Sequence, residues 1–270
     1  MNLVSIDEQL KMLDKMIAKA ENSLKRAPKG IVNVECNRGV DQYFYKESPT
    51  ERRGKYLTKD SRALAAALVQ RDYDKAFLIV ARTEKRKLLQ TAKYGGERNV
   101  SHLYANLSAV YEHSVKGRRK LIKPYFMPDE QFVKNWEEEE YQGIPFTIGI
   151  PEIFSEKGER VRSKSEKMIA DKLFLMKIPY RYEYPLDIGR IYPVYPDFTI
   201  LDIRERRHVI FEHFGMMQDN DYACGAMDKI RDYQKAGFQV GVNFLFTMES
   251  QDRPLDMREF ERMMEARFWR

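Results

Sequence analysis

Cysteine is nearly missing from this chain: Cys36 and Cys224 are the only two. Two thiols so far apart exclude a disulfide-dense scaffold and any metal cage built from cysteine. A reducing, cytoplasmic setting is the expectation. Long apolar runs are missing as well. Ala63–Val69 and Ala76–Ala81 are among the longest, and both are far too short to cross a bilayer, so no membrane contact is expected. Asp7, Glu8, Lys11 and Asp14 interrupt the N-terminal stretch, which therefore does not read as a signal peptide. There is no glycine-rich phosphate loop and no zinc-ligand spacing. Histidine is scarce, at four residues, and His102 and His113 stand eleven apart without partners.

What is present suits a folded protein. Hydrophobic residues make up 43% of the 270 and aromatics 12%, too much for a disordered chain. The net charge of +6 conceals strong patterning. Residues 51–127 hold 18 Lys/Arg against 7 Asp/Glu, and residues 128–160 hold 3 against 9; residues 161–270 carry 18 of each. A basic excess in one stretch is the electrostatic footprint of a nucleic-acid surface. It also fits a segment that faces an acidic neighbour.

Periodicity divides the chain. Leu10, Leu13, Ile17, Ala20 and Leu24 recur at helical spacing, which predicts an amphipathic helix over 6–27. That helix either packs on the body of the protein or pairs with a second copy to make a homodimer. Ile31–Cys36 and Val40–Lys46 flank a Gly-containing turn and predict a hairpin, with Cys36 packed inside it. Two helices are predicted from about Thr58 to Gln70 and from Asp72 towards Tyr94, the second stopped at Gly95-Gly96. Two more follow at Tyr104–Val115 and Asp129–Glu140. Pro145, Gly149 and Pro151 mark a linker, so the domains are expected to be 1–150, mostly helical with a hairpin, and 151–270. The second is predicted to be α/β: a helix over Lys164–Leu175, strands at Tyr180–Leu186, Phe198–Ile203 and His208–Phe214, a helix over Tyr222–Ala236, a strand at Gln239–Thr247 and a terminal helix.

Three acids in this second region could perform metal chemistry. Glu166 lies on its first helix, Asp197 opens the second strand and Glu212 lies near the end of the third. Glu212 interrupts the apolar run Val209-Ile210-Phe211 and is followed by Phe214 two places on. A carboxylate there is costly to bury unless it is paired or holds a cation. Converging carboxylates bind Mg²⁺ or Mn²⁺.

The pieces Ser163-Lys164-Ser165-Glu166, Pro196-Asp197 and Phe211-Glu212-His213-Phe214-Gly215, in the order α-β-β-β-α-β, resemble the PD-(D/E)XK nuclease superfamily over about residues 160–247. The resemblance implies a mixed sheet and a metal-dependent nuclease. It assigns Glu166, Asp197 and Glu212 to a Mg²⁺ or Mn²⁺ site, and nucleic acid, DNA in the first instance, to the role of partner. One position departs from the pattern. The superfamily's Lys, two residues after the strand acid, is replaced by Phe214. Lys229 on the following helix is the candidate to supply the missing charge, with Tyr233 on the same helix face. Lys164, His213 and Tyr233 are candidate substrate contacts. An RNA-directed nuclease, and a nuclease-like domain that binds nucleic acid or a protein without cleaving, are the alternatives.

Overall fold

The structure is a computed structural model that describes residues 5–94, 102–147, 149 and 151–269. The Gly95-Gly96 stop expected for a helix lies outside them. The chain divides into two compact units between Phe132 and Val133, whereas the sequence suggested a boundary near 150. The residues that follow Val133 belong with the second unit for a physical reason: Trp136 Nε1 donates to His208 Nε2 at 2.9 Å, and the Tyr141 hydroxyl donates to the Tyr182 carbonyl at 2.9 Å.

In the first unit, α1 (Ile6–Lys25) opens with a capping box in which Ser5 and Glu8 satisfy each other's backbone donors. Its apolar stripe packs within the chain, burying Leu13 and Ala20. Strands β1 (Ile31–Asn37) and β2 (Val40–Lys46) pair antiparallel. Arg38 and Gly39 both have positive φ, +49° and +80°, as a two-residue hairpin turn of the primed type demands. A two-residue strand, β3 (Lys55–Tyr56), extends this sheet. Cys36 does not pack inside the hairpin as expected, because the tip from Glu35 to Val40 is exposed throughout.

The two helices expected in the basic stretch are one, α2 (Arg62–Tyr94), of 33 residues. No Gly or Pro interrupts Gln70-Arg71-Asp72, and the buried stripe runs on from Leu68 and Val69 through Tyr73, Phe77 and Ala81. Gln70 donates to Asp74 one turn on, at 2.8 Å, and Asp72 pairs with Arg71 and Arg118 instead of capping a new helix. Helices α3 (Leu103–Glu112), α4 (Lys116–Arg119) and α5 (Asp129–Glu137) complete the series.

The second unit contains a short ribbon, β4 (Ile153–Phe154) with β5 (Arg160–Val161), then α6 (Lys164–Leu175). Strands β6 (Tyr180–Tyr182), β7 (Phe198–Asp202), β8 (Arg207–Phe214) and β9 (Phe244–Met248) form one sheet in that order, with α7 (Asn220–Lys235) between β8 and β9 and α8 (Met257–Phe268) last. β6, β7 and β8 are antiparallel neighbours, and β9 lies parallel to β8. The mixed α/β class is as expected, with eight α-helices among the described residues. β6 is shorter than predicted because Glu183 takes φ +47°, which turns the chain out of the strand.

Alternation along β8 separates two cores. Val209 and Phe211 face a cluster with Ile169 and Leu173 of α6 and Phe260 and Met264 of α8. Ile210 faces a smaller cluster with Tyr233 of α7 and Phe244. Burying each such side chain contributes about 1.5–3 kcal/mol. Among the described residues no helix is long and apolar enough to cross a membrane.

Candidate functional site

Glu212 shares the Ile210 side of β8, the side covered by α7. It is 1% exposed. An ionised carboxylate cannot persist there without partners, and α7 supplies two. The Lys229 ammonium lies 2.7 Å from Oε2, and the Tyr233 hydroxyl donates to Oε1 at 2.6 Å. Four residues separate these donors, so one turn of helix presents both to the two oxygens of one carboxylate. Asp219 caps α7 by accepting from the Tyr222 amide at 3.0 Å and so fixes where that turn begins.

Asp197 stands just before β7, next to the end of β8. Its Oδ2 accepts from the His213 amide at 2.6 Å, and its carboxyl lies within hydrogen-bonding reach of Glu212. Burial first, and the Glu212 charge second, hold the Asp197 carboxyl well above the usual carboxylate range. Burial also raises Glu212, although Lys229, Tyr233 and Asp197 all act to lower it. For Lys229, burial opposes the charge, but the Glu212 and Asp197 carboxylates outweigh it and its affinity for a proton rises. The Tyr233 phenol is raised by burial and by the neighbouring carboxylate, so it remains a donor. The group is a coupled acid pair in which burial favours the protonated forms, with an ammonium beside it.

Glu166 is placed by Ser163, whose hydroxyl caps α6 by accepting from the Glu166 amide at 3.1 Å. Its Oε2 accepts from the Tyr182 hydroxyl at 2.6 Å and the Arg162 amide at 2.9 Å. Its charge reaches Asp197 and adds to the upward shift there. Asp197 and Glu212 therefore meet, and Glu166 acts on Asp197 while bound to Tyr182 and Arg162. Among the described residues, no group of three or more His, Cys, Asp and Glu side chains gathers closely enough to hold a metal ion. The chemistry of the Asp197–Glu212 pair nonetheless fits a hard divalent cation: two carboxyl groups converge, and both offer oxygen donors once the pair gives up its protons.

Phe214, at the position where the resemblance places a Lys, is 3% exposed and packs edge-on against Phe246, centroids 5.8 Å apart. His213 points to the other side of the sheet, as alternation requires. Its Nδ1 is 2.8 Å from the Thr247 hydroxyl and its Nε2 is 3.2 Å from Glu249. Glu249 also accepts from the Ser165 hydroxyl at 2.8 Å. His213 thus braces the strand end with its side chain and holds Asp197 with its amide. Lys164 is exposed on the first turn of α6.

From the sequence, Tyr182, Arg162 and Glu183 had no part in the site itself. Glu183, expected on an outer face or behind the metal site, is 6% exposed and grips the Arg162 guanidinium at 2.5 and 3.0 Å. That grip fixes the segment whose amide holds Glu166. Only the spacing of Arg162 four residues before Glu166 hinted at this link. His208, to which the sequence assigned no task, is buried and accepts from Trp136.

No protein-family model, no curated protein and no solved structure matches this chain.

Proposed function

We propose that the second unit is a PD-(D/E)XK-type, metal-dependent nuclease that hydrolyses DNA phosphodiester bonds, working in a cytoplasmic setting. The observation that carries this reading is the buried Glu212 carboxylate, held by Lys229 and Tyr233 next to Asp197. Asp197 and Glu212 would hold Mg²⁺ or Mn²⁺, with Glu166 close by. Such an ion, when bound, supplies an activated water and offsets charge on the phosphate. Tyr233 keeps Glu212 oriented by occupying Oε1. Lys229, with its side chain 38% exposed, has the reach to leave Oε2 for a phosphate oxygen and to oppose the charge that grows there. Ser163 and Tyr182 hold Glu166 at the start of α6. The basic stretch of the first unit would track phosphates without reading base edges.

The test is cleavage of labelled single- and double-stranded DNA and RNA by the full chain, with Mg²⁺, Mn²⁺ or a chelator. Metal-dependent DNA cleavage is expected, with Glu212→Ala and Lys229→Met each slowing it by at least about 10²-fold. Nucleic-acid binding with no cleavage under either metal would replace this reading with a binding module. Preferential RNA cleavage would reassign the substrate.

A further inference from the structure

Seven cations of the basic stretch are already paired with acids. Arg71 and Arg118 pair with Asp72, Arg82 with Glu21, Lys85 with Asp14, Lys87 with Glu84, Arg119 with Glu112 and Lys120 with Asp41. A different set is left around the small sheet of the first unit. Lys46 ends β2, Lys55 opens β3, and Arg52 and Arg53 lie in the connection between them. None of these four enters an ion pair among the described residues, and Arg52, Arg53 and Lys55 are exposed.

The same sheet carries aromatics on the side away from its core. Val32, Tyr43 and Tyr45 turn inward to the core of this unit. Alternation and register then place Phe44, Lys46 and Tyr56 together on the outer side. Tyr56 is 53% exposed, and its ring stands edge-on to Phe44 at 5.7 Å. Gly54 brings the cationic connection onto this side. A Cβ there would lie 2.9 Å from Phe44 Cβ and 3.0 Å from the Tyr45 carbonyl, so only glycine lets the backbone lie so close.

We propose that this outer sheet face, with Tyr56 and Phe44 flanked by Lys46, Arg52, Arg53 and Lys55, binds single-stranded nucleic acid and stacks a base on Tyr56. Unpaired cations in a row suit a polyanion. A half-exposed aromatic ring among them has no use for a bare polyanion but matches the flat face of an unpaired base. A duplex keeps its bases stacked on each other and offers Tyr56 nothing but its backbone. This proposal shares the nucleic-acid partner of the nuclease reading but does not depend on catalysis.

The experiment uses the full chain carrying Glu212→Gln, so that cleavage cannot interfere. Binding of single-stranded DNA, single-stranded RNA and duplex DNA is measured by anisotropy. A 2-aminopurine-labelled single strand reports stacking, and heparin serves as a polyanion without bases. Single strands of either sugar are expected to bind more tightly than duplex. Tyr56→Leu is expected to weaken single-strand binding about tenfold and to remove the 2-aminopurine signal, while Tyr56→Phe keeps both. Arg52→Ala with Arg53→Ala should lower the salt slope by about 1.4 on single strands. Unfolding of Tyr56→Leu should match the parent, since the side chain is half-exposed. Three results would each overturn the proposal: duplex binding as tight as single-strand binding, indifference to Tyr56→Leu, or no nucleic-acid binding. Wild-type cleavage combined with any of them leaves the nuclease reading intact. Stacking in a chain that cleaves nothing supports this face and defeats that reading.

Discussion

Replacing Tyr233 by Phe removes one oxygen atom and tests the centre of the site. The ring is 1% exposed and packs against Phe238 and Phe244 at 5.9 and 5.1 Å; Phe preserves those contacts. What is lost is the 2.6 Å hydrogen bond to Glu212. A bond to an ionised, buried acceptor contributes about 1.5–3 kcal/mol, so the second unit should lose about 2 kcal/mol, or on the order of 6 °C in its melting temperature. The loss should depend on pH. Glu212 already binds its proton more tightly folded than unfolded, because of burial; removing the phenol takes away a bond that favours the ionised form and raises it further. Between the two folded-state titrations the variant holds more protons than the parent. Its relative stability therefore falls as pH rises through that window, by about 1.4 kcal/mol for each unit of added shift. Urea unfolding of both proteins across a pH series, without divalent ions, makes the comparison, with the transitions of the two units followed separately. A difference under about 0.5 kcal/mol, or one flat with pH, would show that Tyr233 does not hold an ionised Glu212, and the electrostatic account of the site would fail.

Asp197→Asn should stabilise the metal-free protein at neutral pH, because the folded-state titration of Asp197 is raised and ionising it costs stability as pH rises. The same change should remove divalent binding, and wild-type binding should release a proton and tighten with pH. Calorimetry in buffers of different ionisation enthalpy reads both effects, and metal affinity unchanged in the variant would refute the ligand role. His208, pushed down to about 4 by burial and by nearby Arg181, should make the second unit lose on the order of 3 kcal/mol as pH falls from about 6.5 towards 4. Below its unfolded-state titration the unfolded chain takes up the proton first; a His208→Gln variant with the same acid dependence would contradict this.

The sequence made the pattern of elements in the second unit legible because strand and helix periods there are short, clean and closed by caps. Ser163, Asp219 and Asp256 each cap the helix they precede. Glu212 was conspicuous because an acid inside an apolar strand needs a partner; the resemblance pointed to Lys229 as the missing cation, and helical spacing put Tyr233 on the same face. Other features depend on contacts that spacing does not encode. Nothing local announces that Asp72 serves Arg118, forty-six residues away, so a polar triplet read as a break in α2. Glu183 looked like an alternating strand residue, yet its left-handed backbone and its grip on Arg162 are set by tertiary packing. The summed charge of residues 51–127 likewise hid detail, since acids from α1, β2 and α3 pair with four of its cations.

The placement of the Lys229 cation on a helix and not on the strand has a physical logic. The position two residues after Glu212 lies in an aromatic wall with Phe246, and an ammonium rooted there would begin its path fully desolvated. From α7, the Lys229 stem stays partly in water while its tip meets Glu212, so the charge is retained at lower desolvation cost. The arrangement also ties both Glu212 contacts to one rigid element. Lys229 and Tyr233 sit one turn apart, so a rotation of α7 about its axis would loosen the ammonium and the phenol together. A site held by a strand lysine would be set by sheet register alone. Here its geometry depends on how α7 packs through Ile230 and Tyr233 against Ile210 and Phe244, which makes that small cluster the mechanical support of the carboxylate pair.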